Sequence, residues 1–269
     1  MQLPSPLTPF DVLCTPTFVA EGTARAVYPD TWQVGRGLFG GLVTATLVRA
    51  LELATPDRPL RSLTAELFGP VQPGEVTLEL SRLREGSAVT TTTIRLVQGG
   101  EVQAHGVGVL GKTRTTERDR VALKPPTPTP WREVEVMPVE PPMGPVFSQH
   151  FEYRPTGAFP FSGATVAEAE GWLRPKVPVT RRDAAFLAGC IDVYWPTIYL
   201  LEPVPRPMAT IAFTFQPFAR FEGLDPEAPL FHRAKLIAAE DGYCVEYREL
   251  WGEDGRLLAL NQQTFAIIK

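Results

Sequence analysis

The chain has 269 residues, 44% of them hydrophobic and 21% charged, and a formal net charge of −4. That length allows one large core or two small ones. A nucleic acid or an anionic membrane would need a basic patch, and no block of like charges supplies one, so neither is expected as a partner. Cys14, Cys190 and Cys244 show no CxxC spacing and no neighbouring histidine pair. No metal site and no disulfide framework are therefore expected, and a reduced, cytoplasmic setting fits. The N-terminal MQLPSPLTPFDVL lacks a basic region followed by a long apolar stretch, so no signal peptide is expected. No run approaches the ~20 apolar residues of a membrane span.

Residues 18–28 alternate as a strand. GRGLFGG (35–41) makes a turn, and 42–53 has helical periodicity with good formers. Strands are predicted over 61–68, 75–83, 88–98 and 101–110, the third rich in Thr, Val and Ile. Gly99-Gly100 signals a hairpin between the last two. The stretch 124–145 (KPPTPTPWREVEVMPVEPPMGP) is the richest in proline, which excludes a helix or a central strand. It reads as an extended surface linker. Strands at 148–153 and 168–174 follow. A helix is predicted over 182–201, with Asp183 near its N-terminus and Pro196 kinking or ending it. The last strands are 208–218, 230–239, 243–251 and 257–268, with hairpin turns at Asp241-Gly242 and Asp254-Gly255.

The same plan is thus written twice. One helix per four or more antiparallel strands fits an α+β fold in which a sheet curls around a buried helix, and both helices are apolar all round. The chain divides into a unit at 1–118, a linker at 119–147 and a second unit at 148–269. Matching the copies sets Phe39-Gly40-Gly41 against Gly189-Cys190-Ile191 and Ser62 against Thr210. The first helix carries only small and apolar residues at the matched position, whereas the second carries Asp192 in its middle. An unpaired carboxylate there is costly to bury, which points to one working site on a two-part scaffold.

Gly35, Gly37 and Gly40 form a GxGxxG, but the preceding YPDTWQV is no hydrophobic strand, so a dinucleotide site is not expected. GxSxG and HExxH are missing. His105, His150 and His232 have no fixed relation to a nucleophile and read as structural or surface groups.

The runs FGGLVTATLVRALE and RSLTAELFGPVQPGEVTLELSRLREGSAVTTTTIRLVQGGE resemble the N-terminal half of the acyl-CoA thioesterase II type (TesB-like) double hotdog family. GWLRP, AGCIDVYWP, MATIAFTF and DGRLLALNQQTFAI resemble its C-terminal half. The motifs are diffuse; their order, spacing and duplication carry the match over most of the chain. The resemblance implies a double hotdog, two antiparallel sheets each wrapped around a central apolar helix. The sheets are expected to join edge to edge, because each unit alone leaves an open edge. It further implies hydrolysis of an acyl-CoA or related thioester by a water activated by an Asp, a Thr and a Gln, with no cofactor. The matching positions are Asp192, Thr210 in MATIA and Gln263 after DGRLLA. Gln262 is the alternative to Gln263 and faces the other way in a strand. Backbone N–H groups around Gly40 and Gly41 are candidates for binding the substrate carbonyl. The family often pairs its double units, so a homo-oligomer is expected. Lys176, Arg181 and Arg182 are candidate contacts for the CoA phosphates.

The chain also departs from the family pattern. Arg61-Ser62 stands where relatives often carry a His before the Ser. IAFTFQPF is more apolar than in close relatives, and VYWP after the Asp differs. These departures leave room for a different substrate and for a second reading, a non-catalytic hotdog protein that binds an acyl or aromatic thioester. A hotdog hydratase is disfavoured, because no Asp and His pair sits on a hydratase-type helix and loop.

Overall fold

Alternation of apolar and polar residues, punctuated by glycine turns, builds the first half. The computed structural model describes residues 5, 7–115, 120–218 and 221–268, so the predicted boundary between 118 and 119 lies outside the described residues. After a short α1 (Phe10–Leu13) come β1 (Thr17–Ala20) and β2 (Thr23–Tyr28). The single strand expected over 18–28 is therefore two, because the chain reverses at Glu21-Gly22. A small hairpin of β3 (Gln33–Val34) and β4 (Gly37–Leu38) leads into α2 (Gly40–Ala54). Then follow β5 (Leu60–Leu67), β6 (Gly74–Glu85), β7 (Val89–Gln98) and β8 (Glu101–Gly111). Gly99 and Gly100 both take positive φ, 61° and 84°, as a tight hairpin requires.

The proline-rich linker is extended, apart from a 3-10 turn at Trp131–Glu133, a bridge from Met137 to Tyr153 and a turn in which the Met143 and Gly144 N–H groups donate to the Glu140 carbonyl. The strand expected over 148–153 begins later: Val146–His150 is a 3-10 helix and β9 is Phe151–Pro155. Next are β10 (Glu168–Pro175) and α3 (Ala184–Cys190). The strands β11 (Met208–Pro217), β12 (Leu230–Glu240), β13 (Tyr243–Trp251) and β14 (Leu257–Ile267) complete the second half.

The helix predicted over 182–201 is much shorter. Asp183 caps α3, its side chain accepting from the Phe186 N–H at 3.2 Å. The helix ends at Cys190, and Pro196 opens a separate 3-10 helix, Thr197–Leu200. Proline supplies no N–H and pushes its predecessor out of the helical region. Asp192 therefore lies just beyond α3, not in its middle.

Twelve strands form one antiparallel sheet in the order β1-β2-β6-β7-β8-β5-β11-β14-β13-β12-β10-β9. The order β2-β6-β7-β8-β5 in the first half reappears as β10-β12-β13-β14-β11 in the second. The sheets of the two halves join edge to edge into one, as expected, where β5 and β11 pair antiparallel, Leu63 with Phe215 and Ala65 with Phe213. Pairing removes an open edge from each half.

Helices α2 and α3 pack on each other in the sheet's core. A Cβ on Gly41 would come within 2.8 Å of the Gly189 carbonyl oxygen and collide with the Phe39 ring, so glycine lets the helices approach. Helix α2 is less uniformly apolar than expected. Thr46 is buried with its hydroxyl donating to the Leu42 carbonyl at 2.9 Å. Arg49 is buried too, paired with Asp183.

Candidate active site

Three side chains from the second half meet, and one of them, Asp192, reaches the start of α2. Strand β14 alternates so that Gln263 is buried while Gln262 is exposed. The Gln263 Nε2 donates to Asp192 Oδ1 at 2.7 Å. Its Oε1 accepts from the Thr210 hydroxyl at 3.1 Å. An ionised carboxylate only accepts, which sets the amide's orientation. Thr210 reaches this face through a bulge: the β11–β14 register shifts between Thr210 and Ala212. Without it, alternation would send Thr210 to the face opposite Phe213 and Phe215.

The first half contributes the N-terminus of α2. No side chain of its N-cap residue, Phe39, caps the helix, and the first N–H groups of a helix have no partners within it. Asp192 comes to this end. Its Oδ2 lies 3.0 Å from where a Cβ on Gly40 would stand, and the Gly41 N–H helps to hold the carboxylate ionised. The expected glycines and the expected acid are thus neighbours.

Behind the acid are two charged residues for which no role was expected. Arg248 Nη1 lies 3.3 Å from Asp192 Oδ1, and Arg248 also binds the fully buried Glu246. Burial pushes the Asp192 carboxyl above the usual carboxylate range. The Arg248 charge, the Gln263 amide and the Gly41 N–H pull it back, whereas Glu246 adds to the rise. The side chain keeps 11% exposure, so water reaches it. A signal for the pair was present in the sequence: Glu246 and Arg248 share the alternation of Cys244 and Leu250, which are core residues.

Other expectations resolve elsewhere. His105 lies between Thr93 (2.6 Å) and Glu66 (3.1 Å) on the first-half sheet. His150 stacks on Trp32, and His232 stacks on Tyr194. Arg182 binds the carbonyls of Asp225 and Ala228, while Lys176 neighbours Glu140 and Arg181 neighbours Asp183. The three cysteines are free and buried. Among the described residues, no cluster of His, Cys, Asp and Glu could hold a metal ion. No described helix is long and apolar enough to cross a membrane.

Two family models match the chain. The acyl-CoA thioesterase N-terminal domain matches residues 28–111, and the acyl-CoA thioesterase C-terminal domain matches 122–267. The chain belongs to the acyl-CoA thioesterase family. This acyl-CoA thioesterase is a thioester hydrolase. It is similar to a conserved hotdog-fold protein of unknown function from Alicyclobacillus acidocaldarius: 25% identity over 97% of this chain and 98% of that one, TM-score 0.84. It is similar to a candidate thioesterase II from Thermobifida fusca: 23% identity over 98% and 99%, TM-score 0.84. It is also similar to an acyl-CoA thioesterase II from Mycobacterium marinum: 16% identity over 96% and 98%, TM-score 0.73. These likenesses give the thioesterase a hotdog fold. No curated protein sequence matches it.

Proposed function

We propose that the thioesterase hydrolyses an acyl-CoA by direct attack of a water held at Asp192, Gln263 and Thr210. The observation that carries this reading is the hydrogen-bonded chain from Thr210 through Gln263 to Asp192, ending beside Gly40 and Gly41. In this scheme the water oxygen attacks the thioester carbonyl carbon, and Asp192 takes the water's proton. The carbonyl oxygen becomes an oxyanion, which the Gly40 N–H at the start of α2 stabilises while the Gly41 N–H stays on Asp192. Collapse of the intermediate breaks the C–S bond, and the departing thiolate recovers the proton. Gln263 and Thr210 orient the water.

A thioester has a good leaving group, so no covalent nucleophile is required. The cysteines favour this view: burial pushes the Cys190 thiol up and the Cys14 thiol up to about 12, which leaves little thiolate for attack. The same reading takes 1–118 and 148–269 as hotdog units joined by the linker at 119–147. It also takes the protein to be cytoplasmic and self-associating, in keeping with its free cysteines and the family's habit.

The test is a panel of acyl-CoAs with thiol release followed by a chromogenic disulfide. Wild type should release thiol from at least one member of the panel. Asp192→Asn should lose about 10²–10⁴-fold of turnover while keeping the fold. No release from any acyl-CoA, or full activity in Asp192→Asn, would overturn the reading.

A further inference from the structure

Arg248 is 1% exposed and reaches in two directions. Toward the site, its Nη1 lies 3.3 Å from Asp192 Oδ1 and donates to the carbonyls of Ile191 (3.3 Å) and Tyr194 (3.4 Å), which flank the acid. Away from the site, its Nε and Nη2 both bind Glu246 Oε2, at 3.1 and 2.9 Å. Glu246 is fully buried and uses its other oxygen to accept from the N–H and the hydroxyl of Thr197. One guanidinium thus ties down the turn from Ile191 to Thr197, with Asp192 inside it.

Stability alone is a poor reason for such an arrangement. Buried ion pairs replaced by apolar residues of similar volume often leave a protein as stable or more so. The contacts have a direction: every arm of the network ends on Asp192 or on the turn that carries it.

We infer that Arg248 and Glu246 are positioning residues of the hydrolytic site: Arg248 fixes the direction of the Asp192 carboxylate, and Glu246 sets how strongly the Arg248 charge acts on it. This rests on the reading of Asp192 as the group that takes the water's proton. The groups facing Asp192 are Arg248 and Glu246 on β13, Gln263 on β14, the Gly41 N–H on α2 and Tyr153 on β9. His232 on β12 faces Arg248 and is held neutral by burial and by that charge. Arg248 and Glu246 therefore act on Asp192 with opposite sign.

The consequence is a pair of opposed shifts. Arg248→Met removes the cation, so the acidic limb of the kcat/KM–pH profile should move to higher pH by about one unit or more. Glu246→Gln removes the competing anion and should move the limb to lower pH. Arg248→Lys restores the charge without the fork. Its limb should return most of the way to the wild-type position, with kcat still about tenfold down because the carboxylate is less well directed. A pair that only holds the fold would weaken both variants without separating their limbs.

Limbs that stay in place or move together overturn the inference. Asp192→Asn separates the two failures. Full activity in that variant sinks the reading of Asp192 itself, whereas a dead Asp192→Asn with unmoved limbs sinks only the roles of Arg248 and Glu246. If Arg248→Met does not fold, Glu246→Gln and Arg248→Lys carry the comparison. Difference infrared titration of Asp192, each protein against its own Asp192→Asn counterpart, reads the same opposed shifts without turnover. Equal or absent shifts there overturn the inference as well.

Discussion

Arg49 of α2 and Asp183 at the start of α3 hold each other by two N–H···O contacts, 2.6 and 3.0 Å long. The pair joins the two halves through their helices, and Asp183 caps α3 as well. Arg49 is 3% exposed, so losing its partner strands a guanidinium in the core. Asp183→Ala should cost about 3 kcal/mol, toward the lower end for a broken buried pair because Asp183 keeps 22% exposure. Urea unfolding checks this. The double variant Arg49→Met, Asp183→Ser keeps a capping oxygen and leaves no orphaned charge, so it should lose much less.

Neighbouring glutamines on β14 give an internal control for the site. Gln263→Ala removes a contact to Asp192, and turnover should fall about tenfold or more with little change in KM. Gln262→Ala touches an exposed position and should change neither stability nor rate appreciably. Steady-state kinetics on a cleaved acyl-CoA distinguishes the two; a silent Gln263→Ala with a crippled Gln262→Ala would reverse their assignment.

The Asp192 carboxyl sits above its ordinary value of 3.8 because it is buried. The folded state therefore holds that proton more tightly than the unfolded chain. The associated stability is full below about pH 3.8 and is lost as pH rises through the folded value. At neutral pH, Asp192→Asn should thus melt higher than wild type, and the gap should close as pH falls into the carboxylate range. Melting curves across pH give the answer.

His232 makes the opposite demand. It is fully buried, its ring nitrogens make no hydrogen bond of good geometry, and burial with the nearby Arg248 charge pushes its pKa well below 6.5. The unfolded chain binds the proton first, so stability is full above about pH 6.5 and is lost as pH falls toward the folded value. His232→Phe keeps a ring on Tyr194 and should flatten this acid-side slope by one proton. Chemical denaturation between pH 7 and 5 measures it.

Much of this architecture is legible in the sequence because it is local. Strong alternation marks β6 and β7, and two successive glycines fix the hairpin after β7. Other features depend on distant partners. The run after Asp192 is as apolar as a helix, but Pro196 breaks it into a turn and a 3-10 helix. That the halves join follows from their open edges, but the choice of β5 and β11 leaves no mark in either strand, since any unpaired backbone edge would pair as well. A bulge decides the face of Thr210, and bulges depend on the pairing register. Glu246 and Arg248 are legible in principle, because two opposite charges on a core face have few stable arrangements other than together.

The join between the halves also fixes an order of events during synthesis. Strand β5 ends at Leu67, and its partner β11 begins only at Met208, about 140 residues later. At ~5–20 residues per second, the ribosome takes on the order of ten seconds to bridge that interval. Throughout it, the first half has its hairpins available but no neighbour for one side of β5. That bare strand invites pairing with another nascent chain. The second half ends this exposure only when it docks, and by docking it also brings Asp192 to Gly41. Protection from aggregation and assembly of the site thus arrive in the same step.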